Sequence, residues 1–82
     1  MRYSVYIIFS RSINRYYIGS TQDLKNRLLE HNSGEGKFTS TGSPWDLIWN
    51  KSLSTRSEAV QLENKIKKRG AKRFLQDNFI QH

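Results

Sequence analysis

The link between the first two hydrophobic runs is so short that it largely decides how the chain begins to fold. Tyr3 to Phe9 alternates, with Tyr3, Val5, Ile7 and Phe9 on one side and Ser4, Tyr6 and Ile8 on the other, as a strand does. Asn14-Arg15-Tyr16-Tyr17-Ile18-Gly19 is again rich in strand formers, and only the polar stretch Ser10 to Ile13 intervenes, so the two runs are expected to form an antiparallel hairpin. With Ser10 to Ile13 as the loop, Phe9 faces Asn14 and Tyr6 stands directly opposite Tyr17. Cross-strand partners lie about 5 Å apart, so both hydroxyls would be near enough to address one phosphate or one water. An aromatic pair filling the core is the structural alternative.

Ser20 or Thr21 is placed to cap a first helix, with Asp23 in its first turn and Leu24 and Leu28 at helical spacing, running to about Asn32. The Gly-, Ser- and Thr-rich segment from Ser33 to Ser43 reads as a surface loop carrying Lys37. Gly36-Lys37 is not a phosphate-binding loop, because the upstream glycine is replaced by His31 and no strand leads into it. After Pro44, Trp45 to Asn50 alternates as a third strand with two tryptophan anchors. Thr55-Arg56-Ser57-Glu58 has the form of a capping box, opening a helix that Gly70 ends. A short helix follows from Ala71 to about Phe79. The predicted order β-β-α-β-α-α makes a small α/β (α+β) domain over residues 1–82, a three-stranded antiparallel sheet covered by helices.

Eighty-two residues without a cysteine have neither a disulfide framework nor a thiolate zinc site, so packing and hydrogen bonds must hold the fold. A reducing compartment is the simpler setting. The N-terminal run lacks the long apolar region of a signal peptide or membrane span, so a cytoplasmic location and no membrane partner are expected. Fourteen Lys and Arg against seven Asp and Glu leave a formal charge of +7, a field that favours nucleic acid over neutral metabolites.

The informative residues are polar ones on faces that ought to be buried. Leu24, Arg27, Leu28 and His31 follow i, i+3, i+4, i+7, which puts Arg27 and His31 on the stripe that packs against the sheet. Ala59, Leu62, Glu63 and Ile66 repeat the spacing and put Glu63 on an apolar stripe as well. A carboxylate so placed must be paired, protonated or bound to a metal. The structural reading pairs Glu63 with Arg27, while His31 completes the arrangement by hydrogen bonds.

Together these residues resemble the GIY-YIG nuclease family over nearly the whole chain. Val5-Tyr6-Ile7 stands in the place of the first motif and Tyr17-Ile18-Gly19 reproduces the second, followed in order by Asp23-Leu24, Arg27, His31 and Glu63. The first motif lacks its glycine, and Ser20 replaces the lysine that some repair nucleases carry after the second. The resemblance is to short standalone members, and it implies a metal-dependent endonuclease acting on DNA. In that role Glu63 is the candidate ligand of one Mg²⁺ or Mn²⁺ that keeps most of its coordination as water and phosphate oxygen. Arg27 would clamp the scissile phosphate with its planar fork. Tyr6, Tyr17 and His31 are the candidates for acting on the attacking water. Gly19 and Asn78 would support the site, Asn78 through a match to an asparagine that helps organise it.

Lys65, Lys67, Lys68, Arg69, Lys72 and Arg73 around the end of the second long helix, with Lys37 on the loop, are the expected nucleic-acid surface. The rival reading is a binding module for DNA or ribosomal RNA that keeps the fold without the reaction. Against it, such a module has no physical need for a glutamate on an apolar helix face.

Overall fold

The structure, a computed structural model, describes residues 2–33 and 42–78. Its elements are β1 (Tyr3–Ser10), β2 (Arg15–Thr21), α1 (Leu24–Ser33), β3 (Trp45–Leu53), α2 (Arg56–Arg69) and α3 (Ala71–Asn78). The strands form one antiparallel sheet in the order β2-β1-β3, so β1 is paired on both edges. This is the expected small α+β architecture in the expected order.

Central position explains why β1 carries large apolar residues on both faces. Val5 and Ile7 pack with Ala59 and Ile66 of α2 and Ala71 and Phe74 of α3, while Tyr6 and Ile8 pack with Trp45, Tyr17 and the α1 residues Leu24 and Leu28. The sheet is thus covered by α2 and α3 on one face and by α1 on the other. A bulge in β3 lets one strand serve both layers. Ile7 pairs with Trp49 but Ile8 with Leu47, so Ile48 is the extra residue. Without it, Trp45 and Trp49 would share a face; with it, Trp45 joins the α1 layer and Trp49 stacks edge-on against Phe74.

The hairpin register differs from the expected one by two residues. Ser10 pairs with Arg15, leaving Arg11 to Asn14 as the loop, and Tyr6 stands opposite Gly19 while Ile8 stands opposite Tyr17. Two local devices set this register: Asn14 adopts a left-handed φ of 54°, and the buried Ser10 hydroxyl accepts from the Ile13 amide at 3.3 Å. Because the displacement is even, Tyr6 and Tyr17 stay on one face, as diagonal rather than direct neighbours.

The cap of α1 also differs. Ser20 and Thr21 remain in β2, and Asp23 is the cap, its Oδ1 accepting from the Asn26 amide at 3.1 Å. The α2 capping box forms as expected between Thr55 and Glu58, and Gly70, at φ 96°, ends the helix. Lys37 and the rest of its loop, residues 34–41, lie outside the described residues.

Candidate active site

The side chain that organises the α1 face is Tyr6. Its ring crosses β2 at Gly19, where a Cβ would lie 2.6 Å from the Tyr6 hydroxyl and 2.8 Å from Cζ. Glycine is required there for room, since any side chain would occupy the place of the phenol. The Tyr6 hydroxyl lies 3.0 Å from Nε2 of His31, and both residues are buried. Tyr17 completes the cluster, its ring centroid 5.0 Å from His31 and 6.4 Å from Tyr6, with Trp45 edge-on behind it.

His31 is fixed from the end of its own helix. The next residue, Asn32, accepts from the Trp45 amide and donates to the Trp45 carbonyl, and its own carbonyl accepts from Ser43. The last turn of α1 is thereby stitched to the start of β3. A lone asparagine followed by a loop gave no sign of this in the sequence.

Electrostatics assign protons within the pair. Burial raises the Tyr6 phenol well above its ordinary value, and Tyr17 adds to the rise; Arg27 opposes it, while Glu63 and Glu30 reinforce it. His31 is held below the usual imidazole value, first by burial and then by the nearby Arg27 cation, with Glu30 partly offsetting both. Near neutral pH the tyrosine is therefore a phenol and the histidine a neutral imidazole. The phenol donates and Nε2 accepts, which puts the imidazole proton on Nδ1.

Arg27 and Glu63 do not form the ion pair of the structural reading. The inward stripe of α1 is Leu24, Leu28 and His31, and Arg27 flanks it with its side chain 48% exposed and Nε 3.6 Å from Glu30. Glu63 belongs to α2, on the other face of the sheet, where Ser20 Oγ donates to Oε1 at 2.8 Å and Lys67 Nζ lies 2.7 Å from Oε2. Spacing gave the helix face of each residue correctly for His31 and Glu63. It could not tell that the two helices cover opposite sides of one sheet.

The two sides share the strand β2. β2 is an edge strand, Ser20 directs its side chain to the α2 face, and the neighbouring Gly19 leaves its α1 face to Tyr6. After burial and Tyr17, the Arg27 charge lowers and the Glu63 charge raises the Tyr6 phenol pKa. Glu63, with its side chain 18% exposed and its oxygens engaged by Ser20 and Lys67, is the residue that would hold a metal at this edge. Among the described residues no three His, Cys, Asp or Glu side chains converge on one ion position. A single carboxylate such as Glu63 suits an Mg²⁺-type ion, which is commonly held by one or two carboxylates together with waters and substrate phosphate.

The chain matches the GIY-YIG catalytic domain over residues 2–76. It belongs to that family. The UPF0213 protein YazA of Bacillus subtilis (strain 168) is 45% identical over 56 residues, 67% of this chain and 57% of its own length. The UPF0213 protein of Bacillus pumilus (strain SAFR-032) is 42% identical over 52 residues, and the match again spans little more than half of that relative, 53%. The UPF0213 protein VNG_2274C of Halobacterium salinarum is 41% identical over 64 residues, 77% of this chain and 82% of the relative. The fold is that of the solution NMR structure of the UPF0213 protein BH0048 from Bacillus halodurans, with a TM-score of 0.60 at 27% identity, covering 99% of this chain and 86% of that one. In GIY-YIG terms, the second motif is the stretch of β2 in which Tyr17 enters the aromatic cluster and Gly19 makes room for the tyrosine of the first.

The remaining predicted residues divide. Asn78 closes α3, and its side chain lies outside the described residues. The basic run around the end of α2 is exposed but is not one surface. Lys67 turns to Glu63, whereas Lys65, Lys68 and Arg69 line a cleft of about 570 Å³ with Phe74 and Asp77 on the opposite flank of the helix. Arg69 is held there by two hydrogen bonds to Asp77, at 2.8 and 3.1 Å. Lys72 and Arg73 follow on the exposed side of α3.

Proposed function

We propose that this GIY-YIG protein is a divalent-metal-dependent endonuclease that hydrolyses phosphodiester bonds in DNA, working in the cytoplasm. The observation that carries the reading is the buried Tyr6–His31 hydrogen bond at the edge where Arg27 and Glu63 also act.

Hydrolysis needs a water deprotonated as it attacks, charge to balance the phosphorane, and help for the leaving oxygen. A phenol held above its ordinary pKa is a poor base by itself. Joined to a neutral imidazole at 3.0 Å, it becomes a relay. The Tyr6 oxygen accepts the proton of the attacking water as its own proton passes to Nε2 of His31, so the charge comes to rest on an imidazolium rather than a buried phenolate. Tyr17 packs against His31 and orients the water. Arg27, on the exposed side of the pair, holds the scissile phosphate through its fork of donors. Glu63 would hold one Mg²⁺ or Mn²⁺, which when bound neutralises developing charge on phosphate and leaving oxygens.

The test is a panel of labelled single-stranded, duplex and branched DNAs incubated with Mg²⁺, with Mn²⁺ and with chelator, using wild type and Tyr6→Phe. Metal-dependent nicking that Tyr6→Phe lowers by on the order of a hundredfold supports the relay. DNA binding without nicking on any substrate or metal would favour the non-catalytic binding module.

A further inference from the structure

Both oxygens of Glu63 are engaged, one by the Ser20 hydroxyl and the other by the Lys67 ammonium. A glutamate followed four residues later by lysine is an ordinary helix pair, and on a solvated face it contributes little. This pair stands elsewhere. The carboxylate is drawn in against β2, with its side chain 18% exposed, while Lys67, at 52%, closes it off from the solvent side. Of the Lys and Arg residues from 65 to 73, Lys67 is the one whose charge meets Glu63 among the described residues.

A metal ion on Glu63 would put its charge next to that ammonium. Two cations about 4 Å apart repel strongly outside bulk water. Before any ion arrives, carboxylate and ammonium already cancel. We propose that Lys67 competes with the divalent metal for Glu63, so that the free protein binds metal weakly and a phosphodiester raises that affinity by drawing the lysine onto its own oxygens. The proposal rests on Glu63 being the metal ligand of the function proposed above.

Lysine suits the role. Its four-carbon stem and compact ammonium with three donors can move from a carboxylate to a phosphate without disturbing the helix, whereas an arginine's planar fork is committed to one geometry. With phosphate in place the centre gains one negative charge, and the lysine has a second anion to pair with. Linkage makes the effect reciprocal: a substrate that raises metal affinity is itself bound more tightly by the metal-loaded protein, by the same factor. The centre would then load metal chiefly on its substrate.

The experiment titrates Mn²⁺ into wild type, Lys67→Met and Glu63→Gln, following paramagnetic broadening of the backbone amide signals of Ser20 and Glu63 or its replacement. Each titration is repeated with a DNA oligonucleotide whose phosphate linkages are uncleavable. Lys67→Met keeps the stem on an exposed helix position of good propensity, and thermal unfolding checks that it folds. The expected result is roughly two- to fivefold tighter Mn²⁺ binding by free Lys67→Met than by wild type. The oligonucleotide should then tighten binding more in wild type than in the variant. Equal or weaker Mn²⁺ binding by a folded Lys67→Met, with broadening abolished in Glu63→Gln, would overturn the competition and leave Glu63 as ligand. Broadening that survives undiminished in Glu63→Gln would remove the metal site itself, and the proposal with it.

Discussion

In the proposed relay the phenolic proton of Tyr6 passes to His31, and the burial of that imidazole makes the pair sensitive to pH in a definite direction. His31 is held below its ordinary value of 6.5, so in the unfolded chain it takes up a proton at higher pH than in the fold. Below about 6.5 the unfolded state therefore binds more protons, and the stability contributed by the neutral, buried imidazole is complete above that value and is lost as pH falls from it through the lower value His31 has in the fold. Thermal unfolding between pH 7.5 and 5 should show this decline, and His31→Gln should flatten it. Cleavage should follow the same group: the acid limb of kcat/KM is expected below 6.5, where an imidazole in water would place it. His31→Ala should slow cleavage most near neutral pH while leaving DNA affinity nearly intact, because a proton acceptor contributes little to ground-state binding. A wild-type rate and profile in that variant would make His31 purely structural. Gly19→Ala asks a different question of the same pair. Its methyl would meet the Tyr6 hydroxyl at 2.6 Å, so the ring must shift, and the 3.0 Å bond to His31 with it. Overpacking of this kind costs about 1–3 kcal/mol, and the nicking rate should fall by more than that loss of stability explains.

At the scale of elements, α2 is a rod with two working flanks. One presents Glu63 and Lys67 to the edge of β2, and the other presents Lys65, Lys68 and Arg69 to the cleft beside α3. If the second flank binds phosphates, replacing those three residues should weaken binding to all sequences alike and flatten the dependence of log affinity on log salt by about one unit for each phosphate no longer neutralised. The Mn²⁺ affinity of the free protein should not change. An unaltered salt slope would move the nucleic-acid surface elsewhere. The limits of α2 were legible because they rest on neighbours in sequence: Thr55 and Glu58 satisfy each other, and Gly70 takes a positive φ. The limits of β2 and α1 were harder to read. Ser20, Thr21 and Asp23 are all cap-forming types, and strand pairing of Ser20 and Thr21 with β1 decides the matter in favour of Asp23. The hairpin register hangs on one left-handed asparagine and one buried serine, and the β3 bulge on packing from both sides of the sheet.

Across the whole molecule, the proposed site depends on β2 being an edge strand of a three-stranded sheet. Aromatic and imidazole groups come from the face under α1 and the carboxylate from the face under α2, and in the proposed reaction both would serve one phosphate across β2, at Gly19 and Ser20. The sequence identified the residue types, the family pattern and the helix faces of His31 and Glu63. It did not show which side of the sheet each helix would cover, so it left open a pairing of Arg27 with Glu63, whereas each is paired within its own helix, with Glu30 and Lys67. That correction sharpens the decisive variant. Glu63→Gln keeps size and shape, and its lost ion partner Lys67 is half in solvent, so the fold should lose no more than about 1 kcal/mol. Thermal unfolding and metal-dependent nicking, measured on one preparation of Glu63→Gln, therefore separate a metal ligand from a structural carboxylate. The prediction is a protein that unfolds close to the wild-type temperature, still binds DNA, and cleaves slower by on the order of a hundredfold or more; a well-folded variant with undiminished nicking would contradict it.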